Sequence, residues 1–275
     1  MAAASGLANP RIAPLWGELR YSGELLRLLV DRELHAGRRR RGAPAVLLIP
    51  GFMAGDASLA VLRGWLRRRG HEVRMSGMLV NMDCAERAMG RLHAQLRAFS
   101  RDGERRVFVI GQSRGGALAR CLAVRDPEAV CGMVMLGTPV CDPLAVSRPV
   151  LIAARGLARL GDAGLPGALS RGCWEGPCCA EVREQLTAPL AAHISALSVH
   201  SRSDGIVDWR ACLDPHAQIA EVDSSHCGMS VHREVYRALR STLDSCAQEI
   251  RASRAGAPAD QATRSERSRS NSRSA

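Results

Sequence analysis

The residues best suited to chemistry lie in Gly111-Gln112-Ser113-Arg114-Gly115, with Asp204 and His226 further along the chain. A serine hydroxyl is a poor nucleophile until a base removes its proton. That base needs an acid to fix its tautomer and stabilise its cation. Ser113, Asp204 and His226 supply the three types. Gly-x-Ser-x-Gly is the pattern of a nucleophile elbow, a sharp strand-to-helix turn that forces the serine into strained backbone angles. Small neighbours, Gly111 and Gly115, let strand and helix pass closely. Alone the pattern is weak, because small-residue turns are common. Here an apolar, β-branched run ending at Ile110 precedes it and a helical run, Ala117 to Val124, follows, which is the context the pattern requires. The Ser113 hydroxyl then stands over a helix N-terminus, whose unpaired N–H groups favour a developing oxyanion.

The acid and the base are placed by the same reasoning. Asp204 follows the strand Ile194 to His200 and sits beside Gly205. His226 lies in a loop after the last strand, Gln218 to Val222, and shortly before the closing helix, Glu234 to Ile250. Serine, aspartate and histidine in that order, each at a strand's C-terminal end, form a workable triad. Asp208 and Asp223 compete for the role of the acid. We read Asp208 as a loop-stabilising or surface residue and Asp223 as a turn former, and favour Asp204. His71, His93 and His200 fall in helix-associated or strand-end positions and lack the setting of His226. An oxyanion hole needs two backbone N–H groups. Arg114, after the nucleophile, supplies one, and Phe52, after Pro50-Gly51, supplies the other.

The elements that must hold these residues follow from patterning. Ala45 to Ile49, Glu72 to Met75, the run to Ile110, and Cys131 to Leu136 read as strands, as do the two named above. Leu59 to Arg69, Asp83 to Phe99 and Ala117 to Val124 carry helical spacing between them. This alternation indicates an α/β fold, a mainly parallel sheet with helices on both faces. Leu15 to Leu34 places Leu19, Leu25, Leu26, Leu28 and Leu29 opposite Arg20, Glu24, Arg27 and Arg32, an amphipathic helix. Such a helix suits a membrane surface or a protein face; we expect it to pack on the domain. From about 141 to 190 the alternation lapses. Leu144 to Leu160 reads as helical around Pro149, then glycines and a cysteine-rich loop follow, a short helical cap over the site. The expected layout is an N-terminal helix and basic linker over 1–43, the domain over 44–250, and a disordered Arg/Ser-rich tail over 251–275.

Composition narrows the partners. A chain of 275 residues suits one α/β domain with a large core. The formal charge is +11, and with no lysine present all the positive charge is arginine, which indicates a bias spread over the chain. Arg38 to Arg41 and the tail concentrate it. No stacking aromatics are interleaved there, so nucleic acid is not an expected partner. Met1 to Trp16 has no apolar core of a leader and no run is long enough to span a membrane, so a soluble, cytoplasmic protein with reduced thiols is expected. Cys173, Cys178 and Cys179 lack the paired Cys-x-x-Cys form and a fourth ligand, so no metal is expected.

Ile49-Pro50-Gly51-Phe52, Gly111 to Gly116, Leu136-Gly137-Thr138-Pro139, Ser203-Asp204-Gly205-Ile206-Val207 and Ser225-His226-Cys227-Gly228 together resemble the α/β-hydrolase superfamily, in particular its bacterial lipases and esterases. The resemblance covers Pro44 to Leu243. It implies hydrolysis of a small-molecule or lipid ester through an acyl-enzyme, without a cofactor. Three departures stand out: Pro50 where these lipases usually have histidine, Gln112 where histidine is common, and Arg114 where methionine or glutamine is common. The first two leave the backbone donors intact, whereas Arg114 brings a cation near the elbow. The same residues would serve acyl transfer to an alcohol or thiol. A non-catalytic binding protein of this fold would have no need of Asp204 and His226 in these loops.

Overall fold

Runs such as Ala-Val-Leu-Leu-Ile have no polar side, so they are stable only when covered on both faces. The computed structural model, which describes residues 11–35, 42–101, 103 and 105–255, buries three of them completely. These are β1 (Ala45–Ile49), β3 (Val107–Gln112) and β4 (Val130–Leu136). Around them stand β2 (Val73–Met75), β5 (Ser195–His200) and β6 (Gln218–Glu221). The order is β2-β1-β3-β4-β5-β6, and every pairing is parallel. The arginines Arg38 to Arg41 and residues 256–275 of the expected tail lie outside the described residues.

The helices are α1 (Tyr21–Leu29), α2 (Arg32–His35), α3 (Ala60–Arg68), α4 (Ala85–Ser100) and α5 (Arg114–Arg125). After β4 come α6 (Arg148–Asp162), α7 (Gly172–Glu175) and α8 (Ala180–Thr187), and α9 (Arg233–Ala255) closes the described chain. Alternation along each strand divides the core. Leu47, Ile49, Val109 and Met133 meet α4, α5 and α8 on one face. Val46, Leu48, Phe108 and Val134 meet α3, α9 and Leu28 of α1 on the other. Each such buried side chain contributes about 1.5–3 kcal/mol. Arg120 of α5 is fully buried as well. Its Nε lies 2.7 Å from Asp214 Oδ2, and it donates to the Gln185 and Ala188 carbonyls at 2.8 Å each. A buried cation is tolerable only with acceptors on every side. These bonds tie the helix that begins at the elbow to α8 and to the loop before β6.

The N-terminal segment differs from the single helix expected. It is a 3-10 turn, Leu15–Arg20, followed by α1 and α2 with a break at Val30 and Asp31. Asp31 causes the break by accepting Glu33 N at 2.8 Å, a cap that starts α2 afresh. The segment does pack on the domain, by a face that mixes Leu28 and Leu25 with Glu24. Glu24 is only 3% exposed, while Leu19 and Leu26 are 81% and 64% exposed. In the insertion, Pro149 lies in the first turn of α6 and begins that helix, as its missing N–H favours. Val182 and Leu186 of α8 join the core, whereas α6 buries Ala158 and leaves Ile152 and Leu160 exposed. No helix among the described residues is long and apolar enough to cross a membrane.

Candidate active site

Parallel strands deliver their following loops to one rim of the sheet. At the end of β3 the chain turns into α5 at Ser113, with φ 51° and ψ −124°. Such angles cost a residue bearing a side chain about 1–3 kcal/mol. The turn is held by Ser113 N donating to Leu136 O at 2.7 Å and by Thr138 Oγ1 donating to Ser113 O at 3.0 Å. Close approach demands the glycines. A Cβ on Gly111 would lie 2.2 Å from Gly115 O, and one on Gly115 would lie 2.3 Å from Ile49 O. Helix α5 starts at Arg114, three residues before its apolar periodicity suggests. Its first N–H groups, which have no carbonyl ahead of them in the helix, therefore flank the hydroxyl.

The loops after β5 and β6 start side by side, joined by Val222 N donating to His200 O at 2.9 Å. They bring His226 Nδ1 to 2.7 Å from Asp204 Oδ2, both side chains being buried. Asp204 Oδ1 accepts from Ile206 N and Val207 N at 2.8 Å each, which fixes the carboxylate's rotation. Gly137, at φ 56° after β4, lies against the pair. A Cβ there would come within 2.9 Å of His226 Nδ1 and 3.3 Å of Asp204 Oδ2. Burial pulls the imidazole pKa down, but the charge and hydrogen bond of Asp204 and the charge of Glu18 outweigh it, so the net shift is upward. Asp208 instead pairs with Arg210 at 2.7 Å and accepts Arg11 N at 2.7 Å. Asp223 pairs with Arg20 at 3.0 Å on the surface. His71 contacts Pro44 O, His93 meets Asp126, and His200 stacks on Trp209.

Two carboxylates that patterning assigned no role complete this arrangement. Glu18 Oε1 accepts His226 N at 2.9 Å and Gly205 N at 3.0 Å, and its Oε2 accepts Cys227 N at 3.0 Å. It thus spans the acid loop and the histidine loop. Glu24 accepts Ser225 N at 2.9 Å and Ser225 Oγ at 2.8 Å. From the other side Gln112 Nε2 donates to His226 O at 3.1 Å, so the residue beside the serine also holds the histidine backbone. A signal for Glu24 exists only in retrospect: it is an acid one turn before Leu28, on the side of the helix that enters the core.

The Pro50-Gly51-Phe52 loop lies against the elbow, since a Cβ on Gly51 would be 3.4 Å from Ser113 Cβ. Arg114 braces it. The guanidinium donates to Asn81 Oδ1 and to Asp83 O at 2.5 Å each, and Asn81 Nδ2 donates to Pro50 O at 2.8 Å. Met53 N in turn donates to Asn81 O at 3.1 Å. The cation expected near the elbow is therefore engaged beside this loop, while the Arg114 N–H stays at the start of α5.

No family model matches the chain, and no curated protein matches it by sequence. Solved structures do. One belongs to the work on LipS and LipT, two metagenome-derived lipolytic enzymes. It is 19% identical with a TM-score of 0.54 and covers 77% of this chain and 100% of its own. The mature Bacillus licheniformis lipase BlEst2 is 13% identical with a TM-score of 0.56, covering 75% of this chain and 94% of its own. A soluble variant of monoglyceride lipase from Saccharomyces cerevisiae is 14% identical with a TM-score of 0.56, covering 76% and 89%. At such identities the likeness speaks for the path of the backbone and nothing finer. Taken with the parallel sheet and the strained serine between β3 and α5, it shows that this chain has the α/β-hydrolase fold.

Proposed function

We propose that this protein hydrolyses carboxylic esters of apolar acids through an acyl-enzyme on Ser113. The observation that carries the reading is the 2.7 Å contact between His226 Nδ1 and Asp204 Oδ2, formed at the rim that also presents a serine at φ 51°. Asp204 holds the proton on Nδ1, which leaves Nε2 as the base for the Ser113 hydroxyl. As Ser113 Oγ bonds to the ester carbon, the carbonyl oxygen becomes an oxyanion held by the N–H groups of Phe52 and Arg114. The tetrahedral species collapses, and His226 gives its proton to the departing alcohol. Water then attacks the acyl-enzyme by the same route and releases the acid. Lipases and esterases among the proteins of similar fold support this class of reaction. Met53 beside Phe52, with Leu79 and Val80 just before Asn81, offers exposed apolar surface for the acyl group.

Labelling with a fluorophosphonate and turnover of p-nitrophenyl butyrate test the reading. Wild type is expected to be labelled and to release free acid, and Ser113→Ala to lose both with its circular dichroism unchanged. Loss of a triad member costs several orders of magnitude. Turnover by Ser113→Ala within a few-fold of wild type would overturn the assignment.

A further inference from the structure

Away from the serine, four thiols converge. Cys173, Cys178 and Cys179 lie in the insertion around α7, and the fourth is Cys84, the residue immediately before α4. Their sulfurs all lie within 4.8 Å of one another, with Cys84 Sγ and Cys179 Sγ 3.4 Å apart and Cys178 Sγ and Cys179 Sγ 3.7 Å apart. Four thiolates around zinc, at Zn–S of about 2.3 Å, stand about 3.8 Å from one another. The ligand that sequence spacing lacked is thus supplied by the fold. We infer that Cys84, Cys173, Cys178 and Cys179 form a structural zinc site that pins the insertion to the start of α4.

The surroundings fit a closed centre of four thiolates. Such a centre leaves no position for water, so its role is structural and not catalytic. Ser170 N already donates to Cys173 Sγ at 3.3 Å, the kind of outer contact that orients a ligand. Zinc with four thiolates carries two negative charges, and cations stand by to offset them. Arg87 is held by Asp83, the neighbour of Cys84, and reaches Ala168 O at 3.0 Å in the insertion. Arg114 donates to Asp83 O, and both arginines lie close enough to feel the charge of these sulfurs. The insertion also needs an anchor. Its first half, with α6 and the turn after it, buries little beyond Ala145, Ala158, Ala168 and Leu169. A metal joining residues 84 and 173–179 supplies binding free energy where apolar burial is scarce. It also steadies Asp83, whose carbonyl holds Arg114 and hence the brace on the Pro50 loop.

The test is metal analysis of full-length protein purified without a metal-binding tag and under reducing conditions. One zinc per chain is expected by plasma mass spectrometry. Cys84→Ser and Cys173→Ser should each bring it near zero, while Cys121→Ser, a buried thiol outside the cluster, leaves it unchanged. Cobalt exchanged into wild type should give intense sulfur-to-metal charge-transfer bands and tetrahedral d–d absorption. This readout holds even if Cys84→Ser yields no soluble protein. Chelation should lower Tm by several degrees and open the 168–180 segment to protease. Wild type that takes up neither zinc nor cobalt would overturn the inference. So would intact-mass evidence that these four cysteines form two disulfides with no metal bound.

Discussion

Replacing Glu18 with glutamine separates its charge from its shape. Glu18 accepts three N–H groups, two on Oε1 from His226 and Gly205 and one on Oε2 from Cys227. A hydrogen bond to a charged group contributes about 1.5–3 kcal/mol and a neutral one about 0.5–1.5 kcal/mol. Glutamine keeps one oxygen for His226 and Gly205 but turns an NH2 toward the Cys227 N–H. Two bonds are weakened and the third is lost. Allowing for solvent around this half-buried side chain, the change costs about 2–4 kcal/mol. In a domain of this size that is a fall in Tm of about 5–15 °C.

The charge also acts on the imidazole. Glu18 helps to raise the His226 pKa, so Glu18→Gln lowers it, and only the neutral ring can accept the serine proton. The acid limb of kcat/KM against pH should therefore move to lower pH. Stability responds with the opposite pH preference. A raised imidazole pKa adds stability that is complete below the unfolded value of about 6.5 and is lost as pH rises through the folded value. Hence the deficit of the variant should be larger on the acid side than on the alkaline side. Thermal melts across pH, with kcat/KM on a p-nitrophenyl ester, measure both effects. A Tm within about 1 °C of wild type together with an unmoved acid limb would refute the reasoning.

Three further outcomes follow from the geometry. Asp204→Asn should lower kcat/KM by roughly four orders of magnitude, while Asp208→Asn, which loosens Arg210 and Arg11, costs stability and leaves kcat/KM within a few-fold; the reverse ranking would move the acid to Asp208. Arg120→Met should cost about 3–5 kcal/mol in a melt, because Asp214 is left charged and buried, and Arg120→Met with Asp214→Leu should recover most of it. No loss in the single variant would refute the pairing. If the apolar rim of Met53, Leu79 and Val80 binds the acyl group, lengthening the acyl chain by four methylenes should raise kcat/KM roughly a hundredfold at about 0.8 kcal/mol each, and Leu79→Asp should blunt that gain selectively; a flat profile would exclude this rim from acyl binding.

Much of the fold was legible because its signals are local. Ala45 to Ile49 and Cys131 to Leu136 are apolar on both faces, which only a covered strand tolerates, and the elbow needs its two glycines within five residues. The loops holding Asp204 and His226 could be found by their place after strands. What periodicity missed has one physical source. It assumes that a helix turns only apolar groups toward the protein, whereas the surface awaiting the N-terminal segment sets a pocket for Leu28 beside backbone N–H groups at residues 205 and 225–227. That surface takes Glu18 and Glu24 inward and leaves Leu19 and Leu26 in solvent. Cys84 escaped notice for a similar reason: its partners lie some ninety residues away, and no sequence spacing reports a contact made only by folding.

A ribosome releases Glu18 and Glu24 long before the loop that they hold, since Glu18 and His226 are 208 positions apart. Joining ends so distant costs little more in entropy than joining nearer ones, about 0.6 kcal/mol for each doubling, but it delays the contact. The sheet around β1, β3 and β4 pairs over shorter separations and can form while the chain is still emerging. The contact that orders the His226 loop is thus among the last to form, and the two glutamates act as a clasp closed on a sheet already built.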